Sequence, residues 1–277
     1  VREQLVRLGR LPAEDPLVAG LRVEAVPGDQ QGLRWRTRME YAVDAAGRVG
    51  LRRHRSREVE PVDDCRIAHP EAVVRGADGP AVEEGVRLAS GVARSYAVDP
   101  DGFWQAHPGA PRALVETVLE LLDPQPGERA LDLYAGVGLF AGFLGERVGE
   151  QGSVIAAESS RSAAAHAVAN LSDLPCARVE VGSVDRVLER LDCPPADVVV
   201  LDPPREGAKR GVVEQVVSCA PRAVAYVACD PAALARDVAI FAEHGYRLTG
   251  LRAFDMFPMT HHVECVALLE TTSPDLQ

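Results

Sequence analysis

From residue 127 onward, short aliphatic runs alternate with helix-like stretches, and this alternation constrains the fold more than any other feature of the chain. Seven runs have the length and composition of strands; they span residues 129–134, 153–158, 177–181, 196–202, 223–228, 246–254 and 263–269. Strands that are buried on both faces read as continuous aliphatic runs, and strands that alternate with helices form parallel sheets. The pattern therefore predicts an α/β fold with one doubly wound sheet.

The connection between the last two runs is much shorter than the others. It holds about eight residues, DMFPMTHH, which are too few for a helical crossover between parallel strands. We therefore predict that the last strand is antiparallel to its neighbours. Six strands with crossovers and an antiparallel seventh are the layout of the seven-stranded, Rossmann-like sheet of class I methyltransferases, and this is the fold class that we expect.

Residues 1–100 have a different pattern and predict a smaller α+β domain, which precedes a methyltransferase domain over residues 101–277. Apolar and charged residues alternate along residues 33–41, as in a strand with one buried and one cationic face. The turn sequence DAAGR leads into a second strand-like run, VGLRRHRS, so we expect a hairpin. The chain begins in a helix-like stretch without Met, and we expect it to be truncated at the N-terminus.

The formal net charge of −11 does not exclude binding to nucleic acid, because the charge is unevenly distributed. Residues 1–100 hold 16 basic and 16 acidic side chains, and the excess negative charge lies in residues 101–277. Eight arginines lie between Arg34 and Arg57, with only two acids among them. A local basic surface is enough to bind phosphates, so Arg52, Arg53 and Arg55 are candidate RNA contacts. A solvated, arginine-rich hairpin explains the same pattern.

The sequence also predicts the compartment. No run approaches the ~20 apolar residues that cross a membrane, and nothing at the start resembles a signal peptide. The six cysteines are scattered without paired spacing, which predicts free thiols in a reducing compartment. We expect a cytoplasmic monomer that does not contact a membrane.

A glycine turn follows the first strand of the predicted sheet, in the segment LDLYAGVGLF. Gly136 and Gly138 allow the backbone to turn tightly beside a ligand, and Glu158, 22 residues after Gly136, can accept hydrogen bonds from ribose hydroxyls. The same spacing fits a dinucleotide fingerprint, and it also fits a glycine turn that binds nothing. Asp132 favours the cationic S-adenosylmethionine over NAD, because a carboxylate suits a sulfonium better than a pyrophosphate.

Two later strands end in residues that can carry chemistry. LDPPREG presents Asp202 and Arg205 at the ends of a stiff Pro-Pro loop, at the edge where an α/β sheet binds ligands. A strand-ending turn with a surface arginine has the same sequence. The next strand ends in Cys229, and Asp230 is expected to be the N-cap of the helix that follows. A helix N-terminus stabilises a thiolate, although most free cysteines are small buried hydrophobes.

The loop before the last strand contains His261, His262 and Glu264. Adjacent histidines in a strand point to opposite faces, and no third ligand is suitably spaced. We therefore expect no metal site in this loop.

Together these segments resemble a known family. FWQAH (103–107), DLYAGVGLF, LDPPREG, YVACDPAALARD (226–237) and DMFPMTHHVE (255–264) are similar, in order, to the motifs of the S-adenosylmethionine-dependent RNA (uracil-5-)methyltransferase family. The resemblance implies that the cofactor contacts Gln105, Tyr134, Glu158 and Asp202, with Ser183 or Asp185 near the adenine. It also implies that Cys229 is the nucleophile and Glu264 the base in the formation of 5-methyluridine in rRNA or tRNA.

The sequence departs from the usual family pattern at a few positions. Asn is usual in the family where His107 and Asp230 stand, and His is common where Met259 stands. CRIAHPEA resembles the segment that supplies the last of four iron–sulfur ligands in many members. Cys65 stands there without partners, so we expect no iron–sulfur cluster in this chain.

Three other interpretations remain open at this stage. A methyltransferase of the same fold that acts on another substrate would form no cysteine-dependent adduct. A truncated fragment would bind RNA or cofactor without turnover. An NAD-dependent enzyme would be distinguished by a cofactor titration.

Overall fold

The computed structural model of the chain describes residues 1–53, 56–74 and 79–272. Up to Val98 its elements are α1 (Arg2–Arg7), α2 (Pro16–Ala19), β1 (Val23–Ala25), β2 (Arg36–Met39), β3 (Ala42–Val43), β4 (Val49–Arg52), β5 (Val59–Pro61), β6 (Ala68–Val74), β7 (Val82–Arg87) and β8 (Ala93–Val98). After Val98 they are α3 (Ala110–Leu122), β9 (Arg129–Leu133), α4 (Leu139–Val148), β10 (Ser153–Glu158), α5 (Arg161–Asn170), β11 (Ala177–Val181), α6 (Val184–Arg190), β12 (Val198–Leu201), α7 (Lys209–Ser218), β13 (Ala223–Ala228), α8 (Pro231–Glu243), β14 (Tyr246–Asp255) and β15 (Glu264–Thr271).

A single large sheet organises the C-terminal part, with the strand order β1-β14-β15-β13-β12-β9-β10-β11. Strand β15 runs antiparallel to β13 and β14, and the other neighbours in this sheet are parallel. All seven expected strands are present, and the expected antiparallel last strand is confirmed. The sheet has eight strands rather than seven, because β1 adds to its edge beside β14.

The first residues of the chain pack against the large sheet. Val23–Ala25 pairs with β14 over three residues, and Arg252 of β14 forms an ion pair of 2.7 Å with Glu24. Helix α1 contacts α8, and its buried Leu5 lies in the same core as α8. The division into domains at residue 100 stays a prediction. These contacts show that the N-terminal segment supplies one strand of the large sheet.

Helices cover both faces of the sheet. The core on one face includes buried side chains of α3 and α4, and the core on the other face includes those of α6, α7 and α8. Every residue of the central strands β12 and β13 is buried, as expected for continuous Val- and Ala-rich runs between two helix layers. Asp230 caps α8 as predicted, because its carboxylate accepts hydrogen bonds from the Ala232 and Ala233 amides at 2.9 and 2.8 Å.

The expected hairpin forms, but only over the residues next to its turn: β3 and β4 pair antiparallel on either side of residues 44–48, and the arginine-rich strand β2 is not part of it. Strand β2 pairs with β6, and β4 pairs with β3 and β5. The expected alternation of faces is wrong at Arg38, whose side chain is buried and lies 2.8 Å from the Glu84 carboxylate. A buried guanidinium is tolerated where an acid pairs with it, and hydropathy alone does not reveal such a partner.

No helix within residues 1–53, 56–74 and 79–272 combines the length and hydrophobicity that a membrane span requires.

Candidate active site

A cavity of about 650 Å³ opens at the carboxyl ends of the central strands, where β9, β10, β12 and β13 lead into their loops. It is bordered by the glycine turn, by the Pro-Pro loop and by the segment that precedes α3. Eight of the residues predicted for the site line this cavity: Gln105, Tyr134, Gly136, Glu158, Asp202, Arg205, Cys229 and Glu264. Residues that are far apart in the sequence therefore share one space.

Cys229 and Glu264 lie at the ends of two neighbouring strands. Strand β13 pairs with β15 as far as Ala228 and Cys265, so Cys229 and Glu264 lie at the same end of this pair, and the charge of Glu264 acts on the Cys229 thiol. Cys229 is half-buried, whereas Glu264 is 4% exposed. The sheet topology thus creates a proximity that the sequence separation of these residues does not reveal.

The surroundings of Cys229 disfavour a thiolate in the ligand-free protein. Burial raises the pKa of the Cys229 thiol to about 11; the carboxylates of Glu264 and Asp202 add to the rise, and Arg205 opposes it. The expected stabilisation by free amides of α8 is wrong, because Asp230 already accepts the hydrogen bonds of the Ala232 and Ala233 amides. Arg205 is the cation that favours the thiolate.

The two carboxyl groups nearest to the cysteine are also perturbed. Burial raises the pKa of Glu264 well above its ordinary value, and the negative charge of Asp202 raises it further. Burial likewise raises the pKa of Asp202 to about 7. A carboxyl group with a raised pKa is a stronger base once it is ionised, so this pair can take up a proton inside the cavity.

The glycine turn has the geometry of a ligand cradle. Gly136 and Gly138 have φ angles of +56° and +90°, which favour glycine. A Cβ at Gly136 would meet no atom within 4 Å, so the backbone here borders open cavity. The Gly136 amide donates a hydrogen bond of 2.8 Å to Glu158, which fixes that carboxylate beside the turn. Gly138 caps α4 and packs against Leu171, away from the cavity lining.

Asp132 does not lie where the sequence led us to expect. Its side chain is fully buried beneath the turn, and one carboxylate oxygen accepts a hydrogen bond of 2.8 Å from the Ala141 amide of α4. It supports the turn from below and is separate from the cavity lining. The preference for a sulfonium cofactor therefore does not rest on Asp132.

A second cavity of about 560 Å³ adjoins the first, and Tyr134 and Pro204 line both. Ser183 and Asp185, expected near an adenine, lie in this second cavity together with Ser159. Tyr134 has a φ angle of +68°, a strained value for a non-glycine residue, as is common at ligand sites.

The arginine-rich region is partly neutralised by ion pairs. Arg34 pairs with Asp64 at 2.7 Å, and Arg53 pairs with Glu58 and Glu60 at 3.2 and 2.6 Å. These acids lie outside the segment that contains the arginines, so counting charge within the segment overestimated the free positive charge. Within the described ranges, Arg52 makes no ion pair, and neither does Arg205 in the cavity. Arg55 lies outside the described residues.

The three departures from the family pattern differ in consequence. His107 is buried, and its Nδ1 accepts a hydrogen bond of 3.0 Å from the Gly109 amide, which is the local bond that an asparagine side chain would also make. Asp230 is a helix cap, a role for which Asn is equally suited. Met259 is 73% exposed in the turn between β14 and β15.

Sequence reasoning missed several residues that line the cavity or support its loops. Phe257 and His262 lie in the cavity wall with Glu264. The sequence analysis weighed His262 only as a metal ligand, and its position two residues before Glu264 could have indicated that it lies near the site. Asp237 of α8 is buried, and its carboxylate accepts hydrogen bonds from the Ala208 amide and the Tyr226 hydroxyl at 2.7 and 2.5 Å.

Within the described ranges, no group of three or more His, Cys, Asp or Glu side chains could hold a metal ion. Cys65 is a free, partly exposed thiol.

The comparisons with known proteins agree with this arrangement. Residues 81–272 match the tRNA (uracil-5-)methyltransferase family model. An uncharacterized RNA methyltransferase of Streptomyces avermitilis is 42% identical to this chain. The alignment is 336 positions long and covers the whole chain and 77% of that protein. The 23S rRNA (uracil(1939)-C(5))-methyltransferase RlmD of a Shewanella species is 37% identical over 189 residues, which cover 64% of the chain and 39% of that protein.

A solved structure shares the fold. The tRNA (uracil-54, C5)-methyltransferase of Pyrococcus abyssi, determined with S-adenosyl-L-homocysteine, superposes with a TM-score of 0.73 at 23% identity, over 97% of this chain and 81% of that one. The sheet and its neighbours thus define a Rossmann-like methyltransferase, and the expected fold class is confirmed. More particularly, the chain belongs to the tRNA (uracil-5-)methyltransferase family, which confirms the resemblance of its motifs.

Proposed function

We propose that this chain transfers a methyl group from S-adenosylmethionine to carbon 5 of a uridine in RNA, through a covalent bond between Cys229 and carbon 6 of the base. One observation carries the proposal: a cysteine and a buried glutamate lie at the same end of the paired strands β13 and β15, in the cavity that also contains the glycine turn. The reaction needs one sulfur nucleophile and one carboxylate base on the same ring.

Cys229 makes carbon 5 reactive. The Cys229 sulfur adds to carbon 6 of the uracil, and electron density moves through the ring to carbon 5, which then attacks a methyl group. S-adenosylmethionine, when bound, supplies that methyl group on a sulfonium. Burial raises the pKa of the Cys229 thiol to about 11. Ionisation of this thiol therefore depends on Arg205 and on positive charge that enters with the cofactor.

Glu264 completes the reaction. It removes the proton from carbon 5, the ring double bond reforms, and the bond between carbon 6 and the Cys229 sulfur breaks. Burial raises the pKa of Glu264, which strengthens it as a base.

The residues of the glycine turn fit the cofactor. The open space beside the Gly136 backbone admits a ligand that a side chain would obstruct, and Glu158 lies at the turn, where it can accept hydrogen bonds from ribose hydroxyls. Gln105, Tyr134 and Asp202 line the same cavity, and Ser183 lies in the adjoining one on the adenine side.

The substrate is a uridine that is turned out of its stack, because Cys229 and Glu264 must both reach the ring. Arg205 is the cavity's candidate phosphate contact, and Arg52 and Arg53 are weaker candidates on the arginine-rich strands. The RNA is an rRNA or a tRNA, the two classes named for its relatives, and we expect the protein to act on it as a cytoplasmic monomer.

Covalent trapping tests this proposal. RNA that contains 5-fluorouridine should form a stable adduct with the protein, because fluorine cannot leave as a proton. Glu264→Gln should accumulate a similar adduct with unmodified RNA after methyl transfer. The adduct is measured as a shift on denaturing gels, and its site is mapped by mass spectrometry. If Cys229→Ser still trapped the RNA, the nucleophile would be another residue; if Glu264→Gln turned over at the wild-type rate, Glu264 would not be the base.

A further inference from the structure

Each turnover leaves a proton on Glu264 that must leave the protein. In the proposed reaction a sulfonium becomes a neutral thioether, and the carbon-5 proton is released, so one proton is produced for each methyl group transferred. Glu264 is 4% exposed, and burial favours its protonated form. The base therefore needs a route by which its proton reaches solvent before the next uridine binds.

His262 stands between this carboxyl group and the outside. It lies in the turn before β15, two residues before Glu264, and both side chains line the cavity. His262 is half-buried, whereas its neighbour His261 is exposed. The imidazole is thus part of the wall of the cavity that contains the buried base, and it is also partly exposed to solvent.

The position of the His262 ring is well defined. Phe257 packs against it edge-on, with 6.0 Å between the ring centroids. Thr260 closes the turn, since its hydroxyl donates to the Phe257 carbonyl at 2.7 Å and accepts from the His262 amide at 3.2 Å. Trp35 supports Phe257 in turn, with 6.2 Å between their ring centroids.

The charges around His262 favour a neutral imidazole, which can accept a proton. Burial lowers the pKa of His262; Arg205, from the loop after β12, and His261, from its own turn, lower it further, and Asp230 at the start of α8 opposes them. Cys229 and Glu264 face the same cavity from β13 and β15. A neutral imidazole persists at physiological pH and releases a proton to water readily once it is protonated.

We propose that His262 relays the proton of Glu264 to solvent, an inference that rests on the proposed function. The Glu264 carboxyl gives its proton to the free ring nitrogen of His262, directly or through one water, and becomes a carboxylate again. The other ring nitrogen of the resulting imidazolium releases a proton to bulk water, which restores the neutral ring. His262 acts through Glu264 and forms no bond with the uridine.

The test compares the first turnover with later ones. RNA from cells that lack the gene is used in excess with isotopically labelled S-adenosylmethionine, and methyl groups incorporated per protein are followed in time. His262→Gln should complete the first turnover at a rate close to wild type and then slow at least ~10-fold, because loss of a proton-transfer group costs about that factor or more. It should trap 5-fluorouridine RNA like the wild type, because trapping precedes proton removal.

Two further variants distinguish a relay from a structural role. His262→Ala should be slow in later turnovers and should recover when imidazole is added, which a packing defect would not do. His244→Gln, at an exposed position after α8 and outside the cavity lining, should stay within about twofold of wild type because it leaves the relay in place.

The inference is overturned if His262→Gln sustains wild-type turnover, or if its first and later turnovers slow equally and imidazole restores nothing. If the wild-type protein neither traps RNA nor incorporates methyl groups, the proposed function itself fails. If the wild-type protein turns over and the His262 variants turn over equally fast, only the relay fails.

Discussion

Cys229 combines a reactive position with surroundings that suppress its reactivity. Burial and the carboxylates of Glu264 and Asp202 raise the pKa of its thiol to about 11, and the positive charge of Arg205 opposes this rise. A thiol in this state is protected from oxidation and from adventitious electrophiles at neutral pH, because the thiolate is the reactive form. If Cys229 is the nucleophile, as we propose, its activation then depends on a change of charge within the cavity, such as the binding of a cation.

The raised pKa of Cys229 predicts how this thiol reacts with an alkylating reagent. Its reaction with iodoacetamide should be slow at neutral pH and should increase as the pH rises towards about 11, since the thiolate fraction grows through the pKa. Arg205→Ala should slow the reaction further at a given pH, because it removes the cation that favours the thiolate. Mass spectrometry of the peptide that contains Cys229 measures the rate. Rapid alkylation at about pH 7 in the ligand-free protein would contradict the assigned environment.

At the scale of elements, α8 fixes the loop that presents Asp202 and Arg205. Asp237 on α8 accepts hydrogen bonds from the Ala208 amide at 2.7 Å and from the Tyr226 hydroxyl of β13 at 2.5 Å. A Cβ at Gly207, whose φ is +84°, would come within 2.6 Å of that carboxylate. One buried side chain thus joins the helix after Cys229, the strand before it and the Pro-Pro loop.

Removing this acceptor should destabilise the fold and disturb the site. Asp237→Ala leaves the buried Tyr226 hydroxyl without its acceptor and removes one of the two acceptors of the Ala208 amide, and we expect it to lower the free energy of unfolding by about 3 kcal/mol. Tyr226→Phe removes one donor and keeps the carboxylate, so its cost should be about 1 kcal/mol. Urea denaturation measures both. Equal effects of the two variants would show that Asp237 does not hold the loop.

The long elements could be predicted from the sequence, and the short ones could not. The seven aliphatic runs of the large sheet are all strands, because burial on both faces gives them a continuous apolar composition. Strand β1 has only three residues, which are half-buried or exposed, so hydropathy gave no reason to place it in that sheet. The pairing of β2 with β6 depends on contacts between distant segments, which local alternation does not encode.

The sequence predicts those site residues that lie directly at the ends of strands. Cys229, Asp202 and Glu158 could be assigned because each lies at the end of an aliphatic run, where the sheet forms its crevice. The burial of Asp132 and the ion pairs of Arg34 and Arg53 depend on the three-dimensional neighbourhood, and here the sequence-based expectations were wrong.

Across the whole molecule, the buried carboxyl groups oppose folding at neutral pH. Asp132 and Asp202 have pKa values raised to about 7, and that of Glu264 is raised well above normal. Between their ordinary pKa values and about 7, the folded protein keeps protons that the unfolded chain releases, so stability falls as the pH rises through this window. The site is therefore maintained at a cost in stability, which a cationic ligand would offset.

Asp202→Asn should reveal this cost. The variant lacks the ionisable group, so its free energy of unfolding should exceed that of wild type at about pH 8 and approach it near pH 4, where the folded and unfolded wild-type forms are both protonated. Thermal denaturation across this range measures the difference, with Asp63→Asn, at an exposed position outside the cavity that contains Asp202, as the matched control. A difference that is independent of pH would show that Asp202 is not buried as a titrating acid.

The charge of the whole chain also limits how it holds RNA. Ion pairs neutralise Arg34, Arg38 and Arg53, so the N-terminal strands present less free positive charge than their arginines suggest. Arg205, at the cavity itself, makes no ion pair within the described part of the chain and lies beside the proposed nucleophile. We therefore expect the main positively charged contact to the target nucleotide to lie at the cavity.

If this chain forms 5-methyluridine with Cys229 and Glu264, removing the gene must change the modification of cellular RNA. The most direct measurement is the ratio of 5-methyluridine to uridine, by mass spectrometry, in purified rRNA and tRNA from cells that lack the gene and carry wild-type, Cys229→Ser or Glu264→Gln copies. We expect one RNA class to lose the modified nucleoside at a specific position without the gene, and only the wild-type copy to restore it. Unchanged 5-methyluridine in both classes, or full restoration by the Cys229→Ser copy, would contradict the account.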